Sequence, residues 1–170
     1  MEKSLVLSVS LGTGCYRHIQ ISESATLYRL SSAILDSVNF DNDHLHSFFM
    51  SNRFWDGDNE YASPDGGDPD GARGYSDKVK LSKFHFRKGD KFLYLFDYGD
   101  EWRFQINVLH VIDEPTKSPV VLKSVGEVSQ YGDDDWDEDW DEGNGEDIWG
   151  FLFIMKIYNK DGRVTVTKHI

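Results

Sequence analysis

The chain has few of the residues that cross-link or interrupt small proteins. It contains one cysteine and four prolines in 170 residues. Cys15 therefore has no partner for a disulfide within the chain, and nothing indicates an oxidising compartment. No apolar run reaches the roughly 20 residues that a membrane-spanning helix needs. We therefore expect a cytoplasmic protein that is neither a disulfide scaffold nor a membrane protein.

Sequence motifs that carry catalytic mechanisms are also missing. The chain has no phosphate-binding loop, no dinucleotide fingerprint and no glycine-framed serine elbow. Cys15 and His18 stand three apart on a predicted strand, so their side chains would point to opposite faces. These absences favour a protein that is not an enzyme and that uses no cofactor.

Negative charge is abundant but unevenly distributed. Thirty Asp and Glu against 18 Lys and Arg give a formal net charge of −12. Residues 133–147 contain ten acids and no base, and residues 56–77 contain seven acids and one base. The other residues hold 13 acids and 17 bases, a net charge of +4. We therefore expect a mildly basic body that carries two acidic loops.

Length and apolar content indicate a single α+β domain over residues 1–170. With 39% hydrophobic residues, the chain can bury a core without a disulfide or a metal. Apolar residues alternate at 3–11 and 15–22, which predicts a β-hairpin. Helical spacing follows up to residue 39, and a third strand is predicted at 44–50. This hairpin, helix and strand predict a β-grasp-like opening of a mostly antiparallel sheet.

Two further hairpins are predicted after this opening. Residues 91–112 alternate on both sides of Gly99-Asp100, a pair that suits a tight turn, so we place a central hairpin there. The alternation slips at Leu109, which predicts a β-bulge. Apolar residues on both sides of an Asn-Lys-Asp-Gly sequence predict a C-terminal hairpin over 148–170. The other long segments are predicted as loops, namely the Gly/Asp-rich 56–77 and the acidic 133–147.

Several blocks of sequence resemble a known family. The first blocks are Tyr16-Arg17-His18-Ile19, Thr26-Leu27 and Asp43-His44-Leu45-His46-Ser47-Phe48. The most specific block is Phe96-Asp97-Tyr98-Gly99-Asp100-Glu101-Trp102. Over about residues 3–131 the chain resembles the plasmid pRiA4b ORF-3-like family, which is prokaryotic and uncharacterised. The resemblance implies an α+β fold of its own type and no particular activity. Many relatives have a histidine where this chain has Phe104.

Histidines and aspartates in these blocks suggest a metal site. His44 and His46 stand two apart on a predicted strand, so both side chains would point to one face. Asp97 and Asp100 flank the central turn, and imidazoles with carboxylates are suitable ligands for zinc or another divalent metal. Alternatively, His44 pairs with a neighbouring aspartate while Asp97 accepts hydrogen bonds from turn amides. A metal-dependent enzyme using these four residues is therefore one alternative function.

A basic stretch suggests a second alternative, a nucleic-acid-associated protein of a mobile element. Residues 78–91 carry six bases and one acid, interleaved with aromatic residues. The candidate contacts are Lys78, Lys80, Lys83, Arg87, Lys88 and Lys91. Such a composition suits contact with a phosphate backbone. In the competing interpretation, Leu81, Phe84 and Phe86 are core residues and the lysines face solvent. Because the chain is acidic as a whole, nucleic acid is the less favoured partner.

The acidic loop 133–147 supplies the first function hypothesis. Trp136 and Trp140 are four apart, so a helical turn would place both on one face beside Asp137 and Asp139. Exposed tryptophans among acids suit docking on a basic, partly apolar protein. Alternatively, the loop covers the basic stretch of its own chain or is only solvated. We therefore predict a non-enzymatic binding or adaptor module with a basic protein as its partner.

Overall fold

The computed structural model describes residues 2–12, 14–66 and 71–131, and the backbone of two strands at 155–158 and 164–167. The acidic loop at 133–147 lies outside these residues. The strands are β1 Ser4–Ser10, β2 Tyr16–Ser22, β3 His46–Phe49, β4 Glu60–Ala62, β5 Gly74–Tyr75, β6 Lys91–Phe96, β7 Trp102–Ile112, β8 Val120–Val125, β9 Met155–Tyr158 and β10 Val164–Thr167. The helix is α1, Leu27–Val38.

Strands β1 to β8 form one sheet in the order β5-β4-β3-β6-β7-β1-β2-β8. The β4–β5 pair is parallel and the other neighbouring pairs of this sheet are antiparallel. The predicted α+β class with a mostly antiparallel sheet is therefore confirmed. The β-grasp-like ordering is not confirmed, because the sheet has eight strands and β3 pairs with β4 and β6.

Helix α1 is bounded by two caps that the sequence provides. The Thr26 side chain accepts a hydrogen bond from the Arg29 amide at 3.1 Å, and Asn39 ends the helix with a left-handed φ of 58°. Apolar residues at helical spacing form its buried face, namely Leu27, Leu30, Ile34 and Val38. Burying each such side chain contributes about 1.5–3 kcal/mol, so this face holds the helix against the sheet.

The sheet is apolar on both faces at its centre. The main core lies between α1 and one face, and its buried residues include Leu7, Val9, Ile19, Ile21, Tyr94, Phe104 and Ile106. On the opposite face, Leu93 and Leu95 form a smaller cluster with Phe49. Strand β6 thus buries both of its sides, as its continuous apolar run predicts.

The central hairpin pairs β6 with β7, but its connection is longer than the predicted tight turn at Gly99-Asp100. Strand β6 ends at Phe96 and β7 begins at Trp102, so the connection has five residues and takes Tyr98 out of the strand. In the β1–β7 register, Val6 pairs with His110 and Leu7 pairs with Val108, which leaves Leu109 as the bulge.

The Gly/Asp-rich segment 56–77 is not a loop throughout. Residues 60–62 and 74–75 add β4 and β5 to the sheet, because Tyr61 provides a buried aromatic anchor that is 3% exposed. The Ser63 amide extends the pairing of β4 with β3, since it donates a hydrogen bond to the His46 carbonyl at 2.8 Å. The segment therefore extends the sheet beyond β3.

Two short strands are described within the predicted C-terminal hairpin. Strands β9 and β10 pair antiparallel in a separate two-stranded sheet. The other residues of 148–170 lie outside the described part of the chain. None of the helices within the described ranges is long and apolar enough to cross a membrane.

Candidate functional site

His46 is a core residue. It is 1% exposed, and its ring centroid lies 5.7–5.9 Å from those of Tyr28, Phe48 and Tyr94. Its Nε2 atom lies 2.8 Å from Ser76 Oγ. Burial lowers the pKa of His46 to about 4, so the ring is neutral at physiological pH.

His44 lies before β3 begins, and its side chain is 42% exposed. Its Nε2 atom lies 3.6 Å from Asp43 Oδ1 and 3.5 Å from Asp97 Oδ2. Both rings contact the side of β6 that faces the main core, since the His44 centroid lies 6.0 Å from that of Phe96 and the His46 centroid lies 5.9 Å from that of Tyr94. The two histidines differ in burial, because only His46 is enclosed. His44 does pair with a neighbouring aspartate, as the alternative interpretation expects.

Asp97 organises the turn between β6 and β7. Its Oδ1 atom accepts hydrogen bonds from the Gly99 amide at 2.9 Å and from the Asp100 amide at 3.3 Å. The described residues contain no group of three or more His, Cys, Asp or Glu that could hold a metal ion. The predicted set of His44, His46, Asp97 and Asp100 is therefore not assembled as a metal site, because His46 is enclosed by rings and Ser76.

The segment before the acidic loop packs beside His44. The Gln130 side chain accepts from the Asp41 amide at 2.6 Å and donates to Asp43 Oδ1 at 3.0 Å. The Tyr131 hydroxyl donates to the other Asp43 oxygen. This hydrogen bond is the main reason why the pKa of Tyr131 rises to about 12. Gln130 and Tyr131, the last described residues before the acidic loop, therefore lie beside Asp43.

The predicted nucleic-acid contacts lie on the surface. The side chains of Lys78, Lys80, Lys83, Arg87, Lys88 and Lys91 are all exposed. Lys78 pairs with Asp77 at 2.8 Å, and Lys83 donates to the Tyr61 hydroxyl at 3.2 Å. The neighbouring aromatic rings pack inward, since Phe86 stacks on Phe92 with centroids 5.0 Å apart. The bases face solvent while the aromatics join the core, as the competing interpretation expects.

A surface cluster of aromatic residues lies on the sheet face opposite α1. We call Phe54, Trp55, Tyr98 and Arg103 the aromatic patch. Trp55 is 53% exposed and Tyr98 is 38% exposed, with ring centroids 6.1 Å apart. The Arg103 guanidinium lies 4.7 Å from the centroid of Phe54. These side chains come from the loop after β3 and from the β6–β7 hairpin, which meet because β3 pairs with β6.

The backbone around the patch is held in an unfavourable conformation. Trp55 has a φ of 62°, a left-handed value that is rare for a bulky residue. Asn52, Asp97 and Glu101 have φ values of 60°, 59° and 51°. Four of the six described non-glycine residues with positive φ thus surround the patch. Asparagine and aspartate adopt this conformation readily, so the strain falls on Trp55 and Glu101, where surrounding contacts must enforce it.

Polar contacts anchor Tyr98 to β3. Its hydroxyl donates to the His46 carbonyl at 3.0 Å and lies 2.7 Å from Ser47 Oγ. Ser47 donates in turn to Glu60 Oε1 at 2.5 Å. Burial raises the pKa of Tyr98, and the negative charge of Glu60 adds to the rise. The ring of Tyr98 is therefore fixed at one end while its other edge faces solvent.

Comparison with known proteins identifies the family. The sequence profile of the plasmid pRiA4b ORF-3-like proteins matches residues 5–133. The chain belongs to this family. A solved protein of unknown function from Methanosarcina mazei Go1 has a similar fold, with a TM-score of 0.58 and 24% identity. The match covers 75% of this chain and 71% of that protein, and at this identity it shows the fold alone. No curated protein matches the chain.

None of the residues of the aromatic patch is among the site residues that the sequence predicts. Tyr98 belongs to the most specific family block, but it continues the alternation of Phe92, Tyr94 and Phe96, which by itself predicts an inward-facing strand residue. Trp55 follows the third strand in the sequence Arg53-Phe54-Trp55, where neither strand nor helix periodicity predicts a buried side chain. The absence of periodicity at Trp55 is the signal that the sequence offers for an exposed aromatic residue. The predicted partner contacts Trp136, Asp137, Asp139 and Trp140 lie outside the described residues.

Proposed function

We propose that the chain is a non-enzymatic protein-binding module that contacts its partner through the aromatic patch. The observation that carries the proposal is the exposed Trp55–Tyr98 pair, which a strained backbone holds at the surface. Tryptophan, tyrosine and arginine are the residues most often found at binding hot spots. Losing one such residue typically costs about 2 kcal/mol of binding or more.

Packing beneath the patch supports a preformed contact surface. Phe49 is fully buried, and its ring centroid lies 5.7 Å from that of Phe54 and 5.9 Å from that of Trp55. The exposed rings therefore rest on the smaller core cluster and cannot fold further inward. A rigid aromatic surface loses little conformational entropy when a partner binds.

Charges around the patch favour a basic partner. Arg53 pairs with Asp56 at 3.2 Å, and Arg103 pairs with Glu101 at 2.5 Å. Asp100 is exposed in the turn and forms no ion pair among the described residues. Acidic residues thus outnumber free cations here, and complementary charge would speed association and select partners.

The acidic loop is proposed as a second contact for the same partner. Its Trp136 and Trp140 stand among ten acids within 133–147, a composition that suits a basic, partly apolar surface. Gln130 and Tyr131, the last described residues before this segment, contact Asp43 beside His44.

A phage-displayed random peptide library tests the proposal. We expect the full chain to enrich peptides that contain basic residues. Peptides chosen by the wild type should lose at least 10-fold in affinity for Trp55→Ala and Tyr98→Ala. Leu122→Ala is the matched control, because Leu122 is also 53% exposed but lies on the edge strand β8. No enriched peptide, or peptides that bind Trp55→Ala equally well, would refute the proposal.

Nucleic-acid binding at the basic stretch is a second candidate. The observation that favours it is the exposure of all six bases, of which only Lys78 forms an ion pair among the described residues. Since Phe84 and Phe86 pack against the core, binding would use phosphate contacts without base stacking. Fluorescence anisotropy with a 20-base-pair duplex at two salt concentrations, on the full chain and on a chain lacking 133–147, tests this candidate. Salt-dependent binding after the deletion is expected, and Lys88→Glu with Lys91→Glu should abolish it.

A further inference from the structure

We infer that the Trp55–Tyr98 pair is a cation–π site that takes the ammonium or guanidinium group of a lysine or arginine side chain of the partner. The inference rests on the proposed function and specifies the chemistry that the patch recognises. Aromatic faces attract cations through the negative potential of the ring, and tryptophan does so most strongly.

The patch already holds one cation in this way. Arg103 places its guanidinium 4.7 Å from the centroid of Phe54, next to Trp55 in sequence. Two further described cations lie over rings elsewhere, Lys83 over Tyr61 and Lys123 over Tyr16. No described cation lies over Trp55 or Tyr98, although these rings are the most exposed of the patch. The pair is thus an aromatic site of the same kind that is open to a ligand.

The geometry of the two rings suits a small cationic group. Their centroids are 6.1 Å apart and their planes are inclined at 59°, and we call the angle between these two partly exposed rings the wedge. The hydrogen bond from Tyr98 to the His46 carbonyl holds one wall, and contact with Phe49 supports the other. A cation between them would lie within about 6 Å of both ring centroids, the range of cation–π attraction.

Nearby carboxylates increase the attraction for a cation. Glu60 accepts a hydrogen bond from Ser47, whose hydroxyl lies 2.7 Å from that of Tyr98, so the Glu60 carboxylate lies near the hydroxyl end of the Tyr98 ring. Asp100, two residues from Tyr98, adds an exposed carboxylate that forms no ion pair within the described part of the chain. The local cations Arg53 and Arg103 are each paired with an acid and therefore compete weakly. The wedge thus combines aromatic faces with net negative charge.

Nuclear magnetic resonance of the Trp55 indole tests the inference on the full chain. The indole signal is assigned by its loss in Trp55→Phe. The probes are N-acetyl-lysine methylamide and N-acetyl-norleucine methylamide, which differ by the ammonium group, each titrated to 200 mM at constant ionic strength. We expect the lysine probe to bind with a dissociation constant at least about 2- to 5-fold lower. Tyr98→Leu should abolish that preference, and Glu60→Gln should reduce it.

The outcomes separate this inference from the proposed function. Equal shifts with both probes would overturn the cation site and leave an apolar contact surface in place. No shift with either probe would also overturn the cation site, while the peptide selection decides the proposed function independently. Loss of the preference in Tyr98→Leu supports the inference only if the core methyl signals are unchanged. If the core methyl signals change in Tyr98→Leu, Tyr98→Phe is measured in its place. Because this variant keeps the ring, it should retain the preference for the lysine probe.

Discussion

Acidification should destabilise the protein through a single buried imidazole. His46 is 1% exposed, and its Nε2 atom lies 2.8 Å from Ser76 Oγ, with no ion pair to a carboxylate among the described residues. Protonation would place a charge in the core among Tyr28, Phe48 and Tyr94, away from water. Burial accordingly lowers the pKa of His46 to about 4.

The sign and size of the effect follow from proton linkage. The unfolded chain protonates this histidine near pH 6.5, whereas the folded chain does so only near pH 4. Between these values the unfolded state binds more protons, so stability falls as the pH is lowered. The loss is about 1.4 kcal/mol per pH unit and reaches about 3 kcal/mol near pH 4. Above pH 6.5 the group contributes no pH dependence.

Urea unfolding at several pH values between 7 and 4.5 measures this effect. The change is His46→Gln, which keeps a hydrogen-bonding group near Ser76 but cannot titrate. Between pH 7 and 4.5 the variant should lose about 2.5 kcal/mol less stability than the wild type. His85→Gln is the control, since His85 is an exposed histidine, and its curve should parallel the wild type. Parallel curves for the wild type and His46→Gln, within about 0.5 kcal/mol, would refute the reasoning.

Three further predictions concern stability and are measured by urea unfolding at pH 7. Tyr94→Phe should lower the free energy of unfolding by about 1–2 kcal/mol, because the buried hydroxyl of Ser31, 2.7 Å from that of Tyr94, loses its hydrogen-bond partner. Adding Ser31→Ala should recover part of this loss, because it removes the unpaired hydroxyl. Thr26→Ala should cost about 1 kcal/mol through loss of the helix cap, whereas Thr26→Ser should leave stability unchanged. Leu95→Ala should cost about 2–5 kcal/mol and Leu122→Ala less than about 0.5 kcal/mol, because only Leu95 is buried. Equal costs for the two leucines, or for the two changes at Thr26, would contradict these explanations.

Local pattern was sufficient to predict much of the fold. The central hairpin follows from the alternating residues on both sides of the turn, because a strand exposes successive side chains to opposite faces. The helix follows from the helical spacing of its apolar residues up to residue 39. The bulge at Leu109 follows from one slip in the alternation. Each of these features depends on residues close together in the chain.

The candidate site could not be obtained in the same way. Trp55 and Tyr98 are 43 positions apart and meet only because β3 pairs with β6. His46 is not available for a surface site, because it is the first residue of β3 and its Nε2 atom contacts Ser76, which follows β5 in the chain. Strand β4 and the edge strand β5 form on either side of glycines and aspartates that indicate a loop by composition.

The sequence by itself determined the α+β class, the family and the uneven distribution of charge, since composition, periodicity and motifs are local properties. Tertiary structure alone decided which polar residues are buried and which aromatic residues reach the surface. It buries His46 while it leaves His44 partly exposed, and it joins Trp55 to Tyr98. The physical reason is that strand pairing and burial are cooperative properties of the whole sheet, and a single segment does not encode its neighbours.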